Sequence, residues 1–292
     1  MIYTLTFSPA IDLSLKIDNI NLGEINTMND YSIKAGGKGI NVSFALNKLN
    51  LKSNALGFIG GATGKFIKDE LDKNNISNYL IDTGITTRIN LKIISDKETE
   101  INGESHKISD DNILKLKNYL SKLNVGDILV ISGSANIDNL TQILDFIDNK
   151  GIKLIIDTKR FIDVLKYKPF LIKPNKIELE EALNRKLNNE IDILNALKKL
   201  NELGAKNILL SLGSCGAYFY NGNLYKSEAI KLKSIISTVG AGDTMLRAFI
   251  YDYLNNNDFK HALDFSVLAG TAKVKLGYFP NIEEVMGLKK EE

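Results

Sequence analysis

Asp127-Ile128-Leu129-Val130-Ile131-Ser132, a helix-period stretch over 140–149, and then Lys153-Leu154-Ile155-Ile156-Asp157 follow one another in the chain. Two short, continuous apolar runs thus flank one amphipathic helix. A strand with one wet face alternates apolar and polar residues, whereas a strand covered on both faces is apolar throughout. The same rhythm extends outward in both directions. Upstream, 40–49 reads as a helix, 53–59 as a strand, and 65–73 and 113–123 as helices. Downstream, 170–173 reads as a strand, 191–203 as a helix and 207–212 as a strand. The sequence therefore predicts an α/β fold with a mostly parallel central sheet covered by helices on both faces.

Two stretches break the rhythm. Residues 11–34 and 86–104 hold alternating, polar-tipped strands such as Arg88-Ile89-Asn90-Leu91-Lys92-Ile93, with no helix between them. They predict a small accessory sheet, either a lid that excludes water from transfer chemistry or a pair of plain surface hairpins. The 292 residues are 44% hydrophobic and 25% charged, enough for one large α/β domain. A formal net charge of +2, with lysines alternating with acids, argues against a nucleic-acid partner. The single cysteine, Cys215, rules out an intramolecular disulfide and a cysteine cluster for zinc. The N-terminus alternates like a strand and lacks the pattern of a signal peptide. No apolar run approaches the roughly 20 residues needed to cross a bilayer. A soluble, cytoplasmic protein with no membrane partner is expected, ending in a solvated tail over 288–292.

Two common nucleotide motifs are missing. Gly64-Lys65 is followed by Phe66 and lacks an upstream glycine, so there is no P-loop. Gly37-Lys38-Gly39 is followed by Val42 where a third glycine belongs, which argues against a dinucleotide-binding dehydrogenase. His106 and His261 are far apart and read as surface residues.

The densest candidate for chemistry is Ser237-Thr238-Val239-Gly240-Ala241-Gly242-Asp243-Thr244, which runs into a helix through Phe249 and Leu254. Small residues admit a ligand close to the backbone, and the first N–H groups of a helix lack intrahelical acceptors. Gly240, Ala241 and Gly242 therefore form a candidate anion site suited to charge developing on a phosphoryl group. Asp243 is a candidate base for an attacking hydroxyl; taken alone, it serves equally as a helix cap. Around Lys38, Gly37 and Asn41 open another helix and suit a sugar phosphate, or form a flexible loop with a solvated lysine. Asp12 can accept hydrogen bonds from sugar hydroxyls or sit in a turn. Arg88 and Asn90, two apart on a strand, share a face, where one can fork onto a phosphate and the other read hydroxyls. Asn175 caps a helix, or joins Glu178 in holding waters around Mg²⁺. Ser211, Gly213, Ser214 and Gly216 make a tight turn at a sheet edge, where open α/β sheets bind ligands.

Taken in order, these segments closely resemble the PfkB (ribokinase-like) carbohydrate kinases, in the branch of 1-phosphofructokinase and tagatose-6-phosphate kinase. The resemblance runs from Thr4 to about Gly277. It rests on Pro-Ala-Ile-Asp, Gly-Gly-Lys-Gly-Ile-Asn, Thr87-Arg88-Ile89-Asn90, Glu98-Thr99-Glu100-Ile101-Asn102, Ser132-Gly133-Ser134, Lys-Pro-Asn-x-x-Glu and Gly-Ala-Gly-Asp. It implies a ribokinase-like three-layer α/β/α sandwich, a single domain whose β lid forms a dimer clasp. It also implies Asp243 as catalytic base and Gly240, Ala241 and Gly242 as the anion hole. Asp12, Gly37, Asn41 and Asn90 would hold the sugar, and Lys38, Arg88 and Ser134 its phosphate. ATP would lie over Ser211, Gly213, Ser214, Gly216 and Gly242, with Mg²⁺ near Asn175 and Glu178. Ser237 and Val239 correspond to a monovalent-cation (K⁺) position of some members.

The chain departs from the family pattern at several points. Ser8 replaces an Asn before Pro9, Thr27 stands where a basic residue is common, and Asn50 takes a usual glycine position. Ala135-Asn136 replaces a Pro-Pro-Gly run, and Arg247-Ala248 replaces a small residue and a glycine. The implied reaction is transfer of the ATP γ-phosphoryl group to C6 of fructose 1-phosphate, with tagatose 6-phosphate as the alternative acceptor. A rival of another class is a non-catalytic sugar-phosphate sensor on the same scaffold, motivated by Thr27 and Arg247.

Overall fold

The computed structural model describes residues 1–238 and 240–288. The cation role of Val239 and the last four residues of the expected tail over 288–292 lie outside the described residues; Leu288 is not solvated but buried in an apolar cluster with Ala248, Phe265 and Val285. In chain order the strands are β1 (Ile2–Thr6), β2 (Ala10–Lys16), β3 (Asp30–Gly36), β4 (Asn54–Ile59), β5 (Ser77–Asp82), β6 (Arg88–Ile94) and β7 (Glu98–Asn102). They continue with β8 (Ile128–Ser132), β9 (Lys153–Asp157), β10 (Leu171–Ile172), β11 (Ile208–Ser211), β12 (Ala217–Tyr220) and β13 (Leu224–Ser227). The helices are α1 (Lys38–Lys48), α2 (Gly61–Lys73), α3 (Asp110–Leu120), α4 (Ile137–Ile147) and α5 (Lys176–Leu183). They are followed by α6 (Glu190–Glu202), α7 (Ala241–Asn256), α8 (Phe259–Leu276) and α9 (Ile282–Leu288).

The main sheet runs β13-β12-β11-β10-β9-β8-β1-β4-β5. It is parallel from β5 to β11 and ends in the antiparallel pair β12 and β13. Its apolar runs divide by parity, because successive side chains point to opposite faces. Leu129, Ile131, Leu154, Ile156, Ile208 and Leu210 pack with residues of α3, α4 and α6. Ile128, Val130, Ile155, Leu171 and Leu209 pack with α1, α7 and α8. The result is the expected three-layer α/β/α arrangement, with both faces of the sheet dry.

Several helices end on asparagine rather than glycine. Asn50, Asn75, Asn149, Asn184 and Asn257 all adopt the left-handed conformation, with φ between 46° and 62°. Asn tolerates this region better than other non-glycine residues, so these positions stop helices at modest cost. Asn136, in the run that departs from the family pattern, caps α4 by accepting from the N–H groups of Asp138 and Asn139.

The two stretches that broke the sequence rhythm form a second, four-stranded sheet in the order β3-β2-β6-β7. Only the β2–β6 pair is parallel. At its root, Ile11 and Ala35 pack against Ile40 of α1 and Ile67 and Leu71 of α2. Register places Asp12 opposite Lys34 and Asn90, and Asn90 opposite Asn102, so one face of the sheet is polar. The other carries Leu13, Ile33, Leu91 and Ile101.

The start of α1 lies tightly on the end of β1. A Cβ on Gly39 would stand 2.5 Å from Thr6 Oγ1 and 2.8 Å from the Leu5 carbonyl oxygen. Gly39→Ala is therefore expected to lower stability by about 1–3 kcal/mol through overpacking, less the gain in helix propensity. Urea unfolding checks this, and a variant as stable as the parent would show that the close approach is not required.

Candidate active site

The candidate site forms where the carboxyl ends of β1, β8, β9 and β10 meet the first turns of α1 and α7. Gly240 is the N-cap of α7 and takes a left-handed conformation (φ 77°), which a side chain would strain. Its carbonyl accepts from the Thr244 N–H at 2.9 Å and closes the first turn. The Ala241 N–H donates to the Thr238 carbonyl at 3.3 Å. Those of Gly242 and Asp243 have no acceptor among the described residues and stand at the positive end of a 16-residue helix.

Asp243 sits on that first turn with its carboxylate partly exposed. Lys38, the first residue of α1, brings its Nζ to 3.7 Å from Asp243 Oδ1 and 3.9 Å from Asp157 Oδ2. Asp157 closes β9 and is fully enclosed, accepting from Ser132 Oγ at 2.8 Å and from Lys173 Nζ at 3.1 Å. Burial works to raise its pKa, but Lys173, Lys38 and Ser132 outweigh that and hold it below the ordinary carboxylate value. Asp157 in turn is the main cause of the raised pKa of Lys38, with Asp243 and Glu178 adding to it. Lys173 also lies 3.5 Å from where a Cβ on Gly242 would stand. Two lysines and two carboxylates therefore converge on the amide-lined turn.

Asp157 and Lys173 were not singled out from the sequence as site residues. A signal exists in retrospect: each is a charge ending an otherwise apolar parallel strand, at the edge where such sheets bind ligands. Gly37, the N-cap of α1 with φ 106°, packs against Thr6 and Pro9, and its carbonyl accepts from the Asn41 N–H at 2.9 Å. Gly133 packs on the Lys38 stem, which puts the exposed Ser134 at the rim of the same cleft.

On the polar face of the second sheet, Asn90 Nδ2 donates to Asp12 Oδ1 at 3.0 Å. Burial raises the Asp12 pKa, while Asn90 and Arg88 oppose the shift. A Cβ on Gly36 would collide with that carboxylate, so the glycine makes room for it. Arg88 Nη1 donates to the Gly103 carbonyl at 2.9 Å and Nη2 to the Ser8 carbonyl at 3.3 Å, while Nε is buried without a partner. A cavity of about 110 Å³ opens beside it, lined by Phe7, Ser8, Thr87, Arg88 and His106, and shares no residue with the α7 turn.

Asn175 and Glu178 form a reciprocal cap at the start of α5, with Glu178 N–H donating to Asn175 Oδ1 at 2.8 Å and Asn175 N–H to Glu178 Oε2 at 3.0 Å. The capping reading holds, and the other Glu178 oxygen stays available. Asn175 also bridges to Ser211 at the end of β11. Beyond it Gly213 and Ser214 are exposed, and Gly213 has open space around it. The Ser237 carbonyl accepts from Lys273 Nζ at 3.5 Å. Arg247, one turn beyond Asp243, is buried with its guanidinium 5.5 Å from the Phe279 ring and its Nε unpartnered. Burial depresses its pKa, and Asp243 and Asp157 counter the effect. The arginine therefore points into the protein beneath the site.

Residues 4–278 match the family described as pfkB family carbohydrate kinase. A 1-phosphofructokinase of Borreliella burgdorferi is 39% identical, over 99% of this chain and 96% of its own. A D-tagatose-1-phosphate kinase of Bacillus licheniformis is 35% identical, over 86% and 84% respectively. The crystal structure of phosphofructokinase-2 from Escherichia coli in complex with potassium superposes with a TM-score of 0.90 at 26% identity, over 99% of this chain and 98% of that one.

Asp157→Asn would leave Lys173 buried without its counter-charge, at a cost of about 3–5 kcal/mol. Because the folded pKa of Asp157 is depressed, its contribution is fully present above the unfolded carboxylate value. It is lost as pH falls through the folded pKa. Urea unfolding between pH 7 and pH 3 should show a smaller loss of stability on acidification in the variant; parallel curves would exclude this role.

Proposed function

We propose that this chain, which belongs to the pfkB family of carbohydrate kinases, phosphorylates the C6 hydroxyl of a ketohexose 1-phosphate, with fructose 1-phosphate as first substrate. The observation that carries the reading is the Lys38 ammonium 3.7 Å from Asp243, on the first turn of α7. The acceptor hydroxyl gives its proton to Asp243 as its oxygen bonds to the γ-phosphorus. The bond from that phosphorus to the β,γ-bridging oxygen breaks, and ADP leaves. Amides of the Gly240–Gly242 turn and the Lys38 ammonium face the charge that spreads over the transferred group. Asp12, Asn41 and Asn90 orient the sugar, and Gly37 lets it approach the backbone. Arg88 and Ser134 take its existing phosphate.

The nucleotide lies over Ser211, Gly213, Ser214 and Gly216. Mg²⁺ fits the donor set: no group of three His, Cys, Asp or Glu among the described residues could hold a metal alone. This suits an ion that keeps its waters and binds phosphate oxygens, with Glu178 and Asn175 holding waters. When bound, it neutralises phosphate charge.

Both relatives named above are named for sugars whose phosphate is at C1. This favours tagatose 1-phosphate over tagatose 6-phosphate as the competing acceptor. The two 1-phosphates differ only in configuration at C4. The E. coli relative was solved in complex with potassium, which raises K⁺ as a cation of this fold without placing it at Ser237 of this chain.

The second sheet serves as a lid on the single kinase domain, its polar face over the sugar. Its outer face exposes Tyr31, Ile33, Ile89 and Ile101, a surface suited to a second copy of the chain. We assign a cytoplasmic enzyme; no helix of the described residues is long and apolar enough to cross a membrane.

Coupled ADP release with fructose 1-phosphate, tagatose 1-phosphate and tagatose 6-phosphate decides the acceptor. Asp243→Asn should cut kcat by ~10²–10⁴ with the fold intact. Unchanged turnover would refute the base, and sugar-phosphate binding without any ADP release by the parent would make it a sensor. Ile33→Asp should convert a dimer to a monomer in light scattering; an unchanged mass would place the interface elsewhere.

A further inference from the structure

We propose that the Lys273 ammonium is a built-in monovalent cation for the anion site, standing where a bound K⁺ would otherwise be needed. This deepens the kinase reading of the α7 turn and rests on it. The segment leading into that turn is laid against the C-terminal end of α8. The N–H groups of Ile236 and Ser237 both reach the Val274 carbonyl, at 3.0 and 3.4 Å. The last carbonyls of a helix lack intrahelical donors and carry its negative end. Here the carbonyl of Gly277, the C-cap of α8, and that of Ser237 come near enough to share one cationic partner. Such a nest of backbone oxygens is what a bare cation selects.

Lys273 is that partner. Its side chain begins on the last turn of α8 and is 8% exposed. Nζ donates to the carbonyl of Gly277 at 3.3 Å and to that of Ser237 at 3.5 Å. Its Cε passes 3.7 Å from where a Cβ on Gly240, the N-cap of α7, would stand. No carboxylate forms an ion pair with it among the described residues. Burial lowers its pKa, Lys92 lowers it further, and Glu98 opposes both.

A lysine that merely caps its own helix would extend into solvent and touch only α8. This one is enclosed and spans two segments, the second of which leads directly to the anion turn. A K⁺ ion on the Ser237 carbonyl would meet a like charge already there, so the residues present do not fit a resident K⁺. Lys273 thus acts as a positioning residue. It fixes the carbonyl side of the loop so that the amide side faces the transferred phosphoryl group, and adds positive potential behind it.

The test compares the full-length parent with Lys273→Met and Lys273→Arg, in KCl and in choline chloride of equal ionic strength. Thermal unfolding without substrates gives one readout and ADP release the other. The parent should show the same midpoint and turnover in both salts. Lys273→Met should lose about tenfold in kcat in choline, the scale of one charge-assisted hydrogen bond. KCl should restore most of that loss and raise its midpoint, while Lys273→Arg stays indifferent to the salt. A parent activated or stabilised by K⁺ would overturn the proposal, as would a Lys273→Met that ignores K⁺. Should the methionine variant not fold, the salt response of the parent and of Lys273→Arg decides. Absence of ADP release from the parent in either salt counts against the kinase reading alone, because the unfolding midpoints still report the cation.

Discussion

The enclosed carboxylate of Asp157 is the constraint around which the site is arranged. A lone charge at that depth would be very costly, and the cost is offset only by a full set of partners: Lys173, Lys38 and the Ser132 hydroxyl. Those partners come from β8, the start of α1 and the residue after β10. One side chain therefore registers three separate elements at the carboxyl edge of the sheet. The consequence for chemistry is the position of Lys38. Held against Asp157 from one side, its ammonium is also presented to Asp243, on the first turn of α7.

The two sheets divide the labour. The main sheet is apolar on both faces and rigid, with strands sorted by parity into two separate cores. It fixes the helix termini that carry the charges. The second sheet has one polar and one apolar face, and only its root is packed against α1 and α2. The Asp12–Asn90 pair lies on the polar face, near the root. In the proposed reaction the sugar-holding groups stand on the second sheet and the phosphoryl-transfer groups at the edge of the main one, a division that suits an enzyme closing around its acceptor.

Much of this was legible in the chain. The apolar runs 128–132 and 153–157 announced doubly covered strands because nothing else demands unbroken apolarity over so short a span. The run from Gly240 to Asp243 announced a helix start beside a carboxylate. Asn50 was readable as a left-handed helix stop, and it is one, with φ 59°. Asn175 and Glu178 were readable as cap or as metal partners, and the reciprocal cap is present. Less could be read for Asp157, Lys173 and Lys273. Each is a single charge in a chain with 37 basic and 35 acidic residues; the ends of apolar strands mark the first two, and nothing local distinguishes Lys273 from a solvated lysine. Arg247 shows the same limit, since its position one turn beyond Asp243 leaves its direction open, and in the fold it is buried beside the Phe279 ring.

By itself, the sequence determined the layer order, the helix starts and stops, and which residues could carry chemistry. Those properties follow from side-chain periodicity and from local backbone preferences, which act over a few residues. Tertiary structure alone decided which charges meet. Lys38 and Asp243 are far apart in the chain, as are Ser237 and Lys273, and their energies depend on burial and on distances of a few ångströms. Coulombic interactions weaken with separation and strengthen sharply where water is excluded. Only the folded arrangement of strands and helix ends sets those two quantities.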